Sequence, residues 1–323
     1  MHYRVPKFFS VAPAIGVFLL TMLSQLAIRQ IAEAPDKTGP SSISARAART
    51  PESIREAVGV SRPATTTSVR FGDAVPAGQR MAALALVAEV EDYWREEAGI
   101  AVPEVRVALG VNFEDDLAPV FAEWEHTSVE EGVQAWRLSR WAGYATYWYQ
   151  RVEDADVVSR HLYAHVPAQS WDDLSSPDSP LRTILVHEYF HQLQDQLDHA
   201  ASAGGVPDWI LEGSARYAEY RHVAYLGGDT SEQEGYLSRP GNTNLAALQT
   251  CDGPECHESE LRWVGAAAIA WLNDRTRPSA YIDFWRESGR MGDWRKAFQR
   301  TYGVTIESFY QQFEEFQAGR RLA

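Results

Sequence analysis

The stretch Leu185-Val186-His187-Glu188-Tyr189-Phe190-His191-Gln192 sits in a run whose apolar residues, Ile184, Leu185, Phe190, Leu193 and Leu197, recur at helical spacing. Residues four apart on a helix share a face, so His187 and His191 present two imidazoles to one ion. Glu188 stands about 100° round the axis, beside that ion without having to ligate it. That is where a general base for water activation is needed. By chance the pentapeptide His-Glu-x-x-His arises in roughly one chain in a hundred of this size, so the motif needs support from elsewhere in the chain.

The support lies downstream. A two-His site requires a third protein ligand if one tetrahedral position is to stay open. After a Gly-Gly-Val-Pro turn the chain reads Asp208-Trp209-Ile210-Leu211-Glu212-Gly213-Ser214-Ala215-Arg216-Tyr217-Ala218-Glu219, a second helix. The separation between His191 and Glu212 is enough to finish one helix, turn and bring a carboxylate back across the imidazoles.

The pairing of His-Glu-x-x-His with Trp-x-x-Glu-Gly-x-Ala-x-Tyr-x-Glu resembles the gluzincin metallopeptidases, the superfamily of thermolysin and aminopeptidase N. It is most similar to compact bacterial peptidases described as MA-like. The match covers residues 187–219, with weaker similarity in the helical tail to about 316. The resemblance implies one zinc ion per chain, with His187, His191 and Glu212 as ligands, Glu188 as catalytic base and acid, and a peptide or protein substrate. Glu219, seven residues after Glu212 and on the same face, is implied as a partner that orients a ligand. Metzincins fit worse, because their further Gly and His positions hold Gln194 and Leu197 here.

Two features depart from the gluzincin pattern. The downstream Tyr or His that polarises the scissile carbonyl has no evident counterpart. If Leu261-Arg262-Trp263-Val264-Gly265 is the equivalent segment, Arg262 holds that place, with Tyr217, His222, Tyr225 and His257 as competitors. No Gly-x-Met-Glu-Asn segment precedes the motif helix, which favours an endopeptidase over an exopeptidase. Asp195 and His199 continue the i+4 stripe below His191, and either is placed to buttress a ligand or to form a wet helix face.

Around these helices the chain reads as α+β. A helix is expected over 79–98, with Leu84, Val87, Val90 and Trp94 at helical spacing and Gly99 ending it. Strands are expected over 104–109, 144–149 and 161–166. After Trp171 the pattern turns helical. Starts are marked by Ser179-Pro180, Asp208, Ser259, Pro278 and Thr305, and stops by Gly204-Gly205, Gly227-Gly228, Gly289 and Gly303. A small N-terminal sheet followed by a mostly helical half carrying the two motif helices is therefore expected.

Further out, Arg4 and Lys7 precede the uncharged stretch 8–28, long enough to span a membrane as a helix. Residues 1–32 read as a cleaved signal peptide or an uncleaved single-span anchor. Ala32-Glu33-Ala34 is a small-x-small site followed by Pro35, which hinders processing. Either reading places the body outside the cytoplasm, membrane-anchored or secreted. Residues 33–77, rich in Pro, Ser, Thr, Ala and Gly, read as a flexible linker, leaving 78–323 as one catalytic domain.

Of 323 residues, 45% are hydrophobic and 23% charged, which excludes a disordered chain and a polytopic membrane protein. The net charge is −14 overall, with 30 basic and 44 acidic residues. The first fifty residues hold six of the bases and two of the acids, so the body carries about −18, a charge that disfavours nucleic acid. Cys251 and Cys256 bracket four residues and, outside the cytoplasm, are expected to pair as a disulfide.

Two alternatives stay open from the sequence. One is an inactive anchored binding protein that keeps a vestigial metal site. The other is a di-iron carboxylate protein built on Glu188/His191 and Glu219/His222, since Glu-x-x-His occurs twice.

Overall fold

The computed structural model describes residues 67–99, 104–138, 145–151, 158–198, 205–238, 244–249 and 258–321. The stretch 8–28, most of the linker, His199, His257 and both cysteines lie outside the described residues. Among the described residues no helix is long and apolar enough to cross a membrane.

A four-stranded sheet opens the fold, followed by helices, an α+β arrangement. Strand β1 (Ser68–Phe71) pairs in parallel with β2 (Arg106–Gly110), which pairs in parallel with β4 (Val158–His165). Strand β3 (Ala145–Arg151) runs antiparallel along the outer side of β4, giving the order β1-β2-β4-β3. Register is set by Val69 against Val107, Val107 against Leu162 and Trp148 against His161. Strand β1 falls within the stretch read as linker. It is only four residues long and half exposed, so it lacks the apolar run that marks a strand.

Parallel neighbours need a crossover, and helix α1 (Ala77–Ala98) supplies it between β1 and β2. Its buried face is Ala83, Leu86, Val87, Val90 and Trp94, while Leu84, expected in the core, is 37% exposed. Alternation splits the sheet's two faces. Val107, Leu109, Leu162 and Ala164 face the main core, whereas Ala108 and Tyr163 face a smaller cluster with Phe113, Leu117 and Phe121. Phe121 lies on the short helix α2 (Ala118–Trp124), and α3 (Val129–Leu138) follows it.

Helix α4 (Pro180–Leu197) lies against the main face. Ser179 caps it by accepting from the Arg182 amide, and Pro180 takes the first turn, where no intrahelical donor is lost. Helix α5 (Asp208–Tyr225) follows, then α6 (Ser231–Ser238), α7 (Leu245–Leu248), α8 (Glu258–Arg275), α9 (Ala280–Met291), α10 (Trp294–Tyr302) and α11 (Ile306–Arg321). Trp209 of α5 stacks on Phe309 of α11 at 5.7 Å and donates to Tyr310 Oη, fixing α5 to the tail helix.

Two glycine contacts set the helix spacing. A Cβ on Gly213 would lie 2.4 Å from the Gly265 carbonyl carbon, and one on Gly265 would lie 2.4 Å from the Trp209 oxygen, so α5 and α8 cross backbone against backbone. Gly289 is not the helix stop expected from the sequence. It lies inside α9, where a Cβ would fall 1.8 Å from the Leu197 carbonyl, so its lack of a side chain serves close packing against the end of α4.

The Cys251–Cys256 disulfide expected from the sequence is not borne out: no disulfide occurs among the described residues, and both cysteines lie outside them.

Candidate metal centre

His187 and His191 project from one face of α4, and Glu212 reaches them from the second turn of α5. Among the described residues these three form the one His/Cys/Asp/Glu group arranged to hold a metal ion. His187 Nε2 and His191 Nε2 are 3.0 Å apart, Glu212 Oε2 is 3.4 Å from the first and Glu212 Oε1 3.5 Å from the second. Ligands at about 2.0–2.1 Å in tetrahedral array stand roughly 3.3–3.4 Å from one another. The two separations to Glu212 match that spacing, and the group is able to coordinate a metal ion. Glu212 Oε2 is buried, with His187 Nε2 at 3.4 Å and Arg262 Nε at 3.6 Å as its nearest charged neighbours.

The ring nitrogens turned away from the triangle are held. His187 Nδ1 donates to Glu219 Oε1 at 2.6 Å, and the other oxygen of Glu219 pairs with Arg216, whose guanidinium lies 4.3 Å above the Trp263 ring. His191 Nδ1 donates to Gln194 Oε1 at 2.6 Å. In each neutral ring the proton thus sits on Nδ1 and the lone pair on Nε2 faces the triangle.

Electrostatics follow from burial and crowding. Burial disfavours the charged His187 ring, but hydrogen bonds to Glu212 and Glu219 outweigh it and lift its pKa to about 9. His191 goes the other way, to about 4, because burial prevails there. Burial opposes ionisation of Glu212 too, yet His191, His187 and Arg262 together hold its carboxyl well below the usual range. Glu188, 2% exposed, is raised to about 7 by burial, within electrostatic reach of His187, Glu212, Arg262 and Glu219.

The remaining candidates separate. Arg262, one turn before the Gly265 crossing on α8, places Nε 3.6 Å from Glu212 Oε2. Tyr217 packs edge-on to Tyr281 and beside Tyr220. Tyr225 is exposed and donates to Glu96. His222 is buried with its ring 4.5 Å from Tyr93. Of the carbonyl-polarising candidates among the described residues, Arg262 is the one that approaches the triangle. Asp195 accepts from Arg160 of β4 at 3.1 Å, tying α4 to the sheet. The di-iron arrangement does not form, because Glu219 is drawn to His187 and His222 to Tyr93.

Sequence reading missed Gln194, Ser214, Arg216 and Trp285. Gln194 lies three residues after His191 on the same helix face, a signal that was present but read only as a mismatch to another clan. The partners of Ser214 and Trp285 come from separate helices and left no sequence signal.

No protein-family model matches the chain, and no curated protein matches it.

Proposed function

We propose that this protein is a zinc-dependent peptidase of the gluzincin type, cleaving internal peptide bonds of proteins or peptides outside the cytoplasm. The observation that carries the reading is the convergence of His187, His191 and Glu212 into a group able to coordinate a metal ion, with Glu188 beside His187 on the same helix. The extracytoplasmic setting is supported by the apolar stretch 8–28 behind Arg4 and Lys7, which either anchors the chain or is removed on export.

When bound, zinc supplies a Lewis acid and lowers the pKa of water to about 7. The chain's own groups do the rest. Glu188 takes a proton from the attacking water on a carboxylate oxygen and returns it to the leaving amine. Glu219 and Gln194 keep the Nδ1 protons in place, so both Nε2 lone pairs stay directed inward. Arg262 contributes a fixed positive charge beside the reacting carbonyl, available to an oxygen that becomes negative.

The test is metal content and turnover of the full chain. About one zinc per chain is expected, with proteolysis of unfolded protein that stops on adding a chelator. Glu188→Gln should keep the metal and lower turnover about 10²–10⁴-fold. Zinc binding with no cleavage of any peptide library would instead establish an inactive, metal-holding binding protein.

A further inference from the structure

We propose that Gln194 is a positioning residue that sets the ring tautomer of His191 and joins the two ligand helices; the proposal rests on the metal-dependent reading above. The chemistry of its neighbours assigns each end of the amide. Nε2 lies 3.0 Å from the Leu211 carbonyl oxygen, which only accepts, so the nitrogen end belongs there. Turning the amide over would set two oxygens against each other at that distance. Oε1 therefore faces His191 Nδ1 at 2.6 Å, and because an amide oxygen cannot donate, Nδ1 must carry the proton.

The remaining hydrogens close the network. The Gln194 amide also donates to Ser214 Oγ at 2.9 Å, Ser214 passes its own hydrogen to the Ile210 carbonyl at 2.6 Å, and Trp285 Nε1 donates to Ser214 Oγ at 3.3 Å. Gln194, Ser214 and Trp285 are all buried. Neutral partners in a dry setting hold one arrangement, since any flip strands a donor or an acceptor.

Leu211 and Ser214 flank Glu212 on α5. The side chain that orients the second ligand therefore also grips the helical turn that carries the third. His187 depends on a charged acceptor, Glu219, whereas His191 depends on this neutral amide. The two imidazoles are held by different chemistry, and Gln194→Met removes one hold without changing net charge.

The experiment uses the full chain with ¹⁵N-labelled histidine, metal-free above pH 9, where His187, raised to about 9, has lost the proton it would otherwise donate to His191 Nε2 3.0 Å away, and reads the His191 tautomer by long-range ¹H–¹⁵N correlation. Zn²⁺ affinity is measured in parallel against a chromophoric chelator. The wild type should show the Nδ1–H form of His191. Gln194→Met should give a mixture of both tautomers and bind Zn²⁺ about 10–100-fold more weakly. Gln194→Glu, which keeps an acceptor for Nδ1–H but loses the donors to Leu211 and Ser214, should retain the tautomer.

A structural role alone would leave the tautomer unmoved. An Nε2–H His191 in the wild type overturns the proposal without need of any variant. So does a folded Gln194→Met protein with unchanged tautomer and Zn²⁺ affinity within twofold. Failure of the wild type to bind Zn²⁺ at all overturns the metal-dependent reading instead, while the tautomer still decides the role of Gln194.

Discussion

Glu188 and Glu212 are both carboxylates in one buried site, and their surroundings push them in opposite directions. Glu212 sits among His191, His187 and Arg262 and is held ionised, while burial raises Glu188 to about 7. Their removal should therefore fail differently. Glu212→Ala should weaken Zn²⁺ binding by at least about 10-fold, since two imidazoles alone leave the ion short of protein ligands. Glu188→Gln should leave the same titration unchanged. Equal loss of metal in both variants would show that Glu188 is itself a ligand. Glu188 was placed by helical geometry alone, because a one-residue step on a helix is fixed at about 100°. The hydrogen bonds of Glu219 and Gln194 to the ligand rings depend on rotamers and neighbours that no spacing rule supplies.

His222 belongs to a different part of α5. Neither of its ring nitrogens has a hydrogen-bond partner among the described residues, and burial lowers its pKa to about 3 from an ordinary 6.5. Below pH 6.5 the unfolded chain takes a proton that the folded chain refuses. Stability should consequently fall as pH drops from about 6.5 toward 3, at up to roughly 1.4 kcal/mol per pH unit from this residue. Above 6.5 its titration contributes no pH dependence. His222→Phe keeps an aromatic ring beside Tyr93 and should flatten that acid limb in denaturant titrations at pH 4 and pH 7. Equal acid sensitivity of both proteins would count against a buried neutral His222.

At the level of elements, the α5–α8 crossing lies next to the site. Gly213 directly follows Glu212, and Gly265 lies one turn after Arg262, so this backbone-to-backbone contact sits beside both Glu212 and Arg262. Gly265→Ala must move one helix, because the new Cβ meets backbone and not a pliable side chain. Overpacking of this kind costs about 1–3 kcal/mol, and the chemical-denaturation midpoint should fall accordingly. Gly78→Ala, where nothing lies within 4 Å of the added Cβ, should leave the midpoint nearly unchanged. The helical half was largely legible because caps such as Ser179-Pro180 and Thr305 act within one turn. Gly289 was misread because a glycine that ends a helix and one that admits a neighbouring backbone look alike in sequence.

Over the whole molecule two terms act at long range. Zinc bound to the folded chain and not to the unfolded one should stabilise it by about 2.7 kcal/mol at a hundredfold excess over Kd, seen as a rise in Tm that a chelator reverses. The acidic body, about −18 behind its basic start, should draw cationic peptides. Their kcat/KM should decline as salt is raised, whereas that of neutral peptides stays flat, because the Debye length shrinks to about 8 Å near 0.15 M. Identical salt dependence for both substrates would assign the charge to solubility alone.

What was readable from residues alone rests on short-range physics. Helical periodicity put His187 and His191 on one face, and capping chemistry marked where α4 begins. The tertiary structure settled what depends on contacts between distant segments. It settled that β1 joins the sheet, that Gln194 and Glu219 turn both imidazoles inward, that Arg262 and not Tyr217 approaches Glu212, and that His222 packs on Tyr93. These choices follow from which buried faces fit together and which buried polar atoms find partners. Each requires two or more helices to be in place at once, and no local pattern in one of them encodes the other.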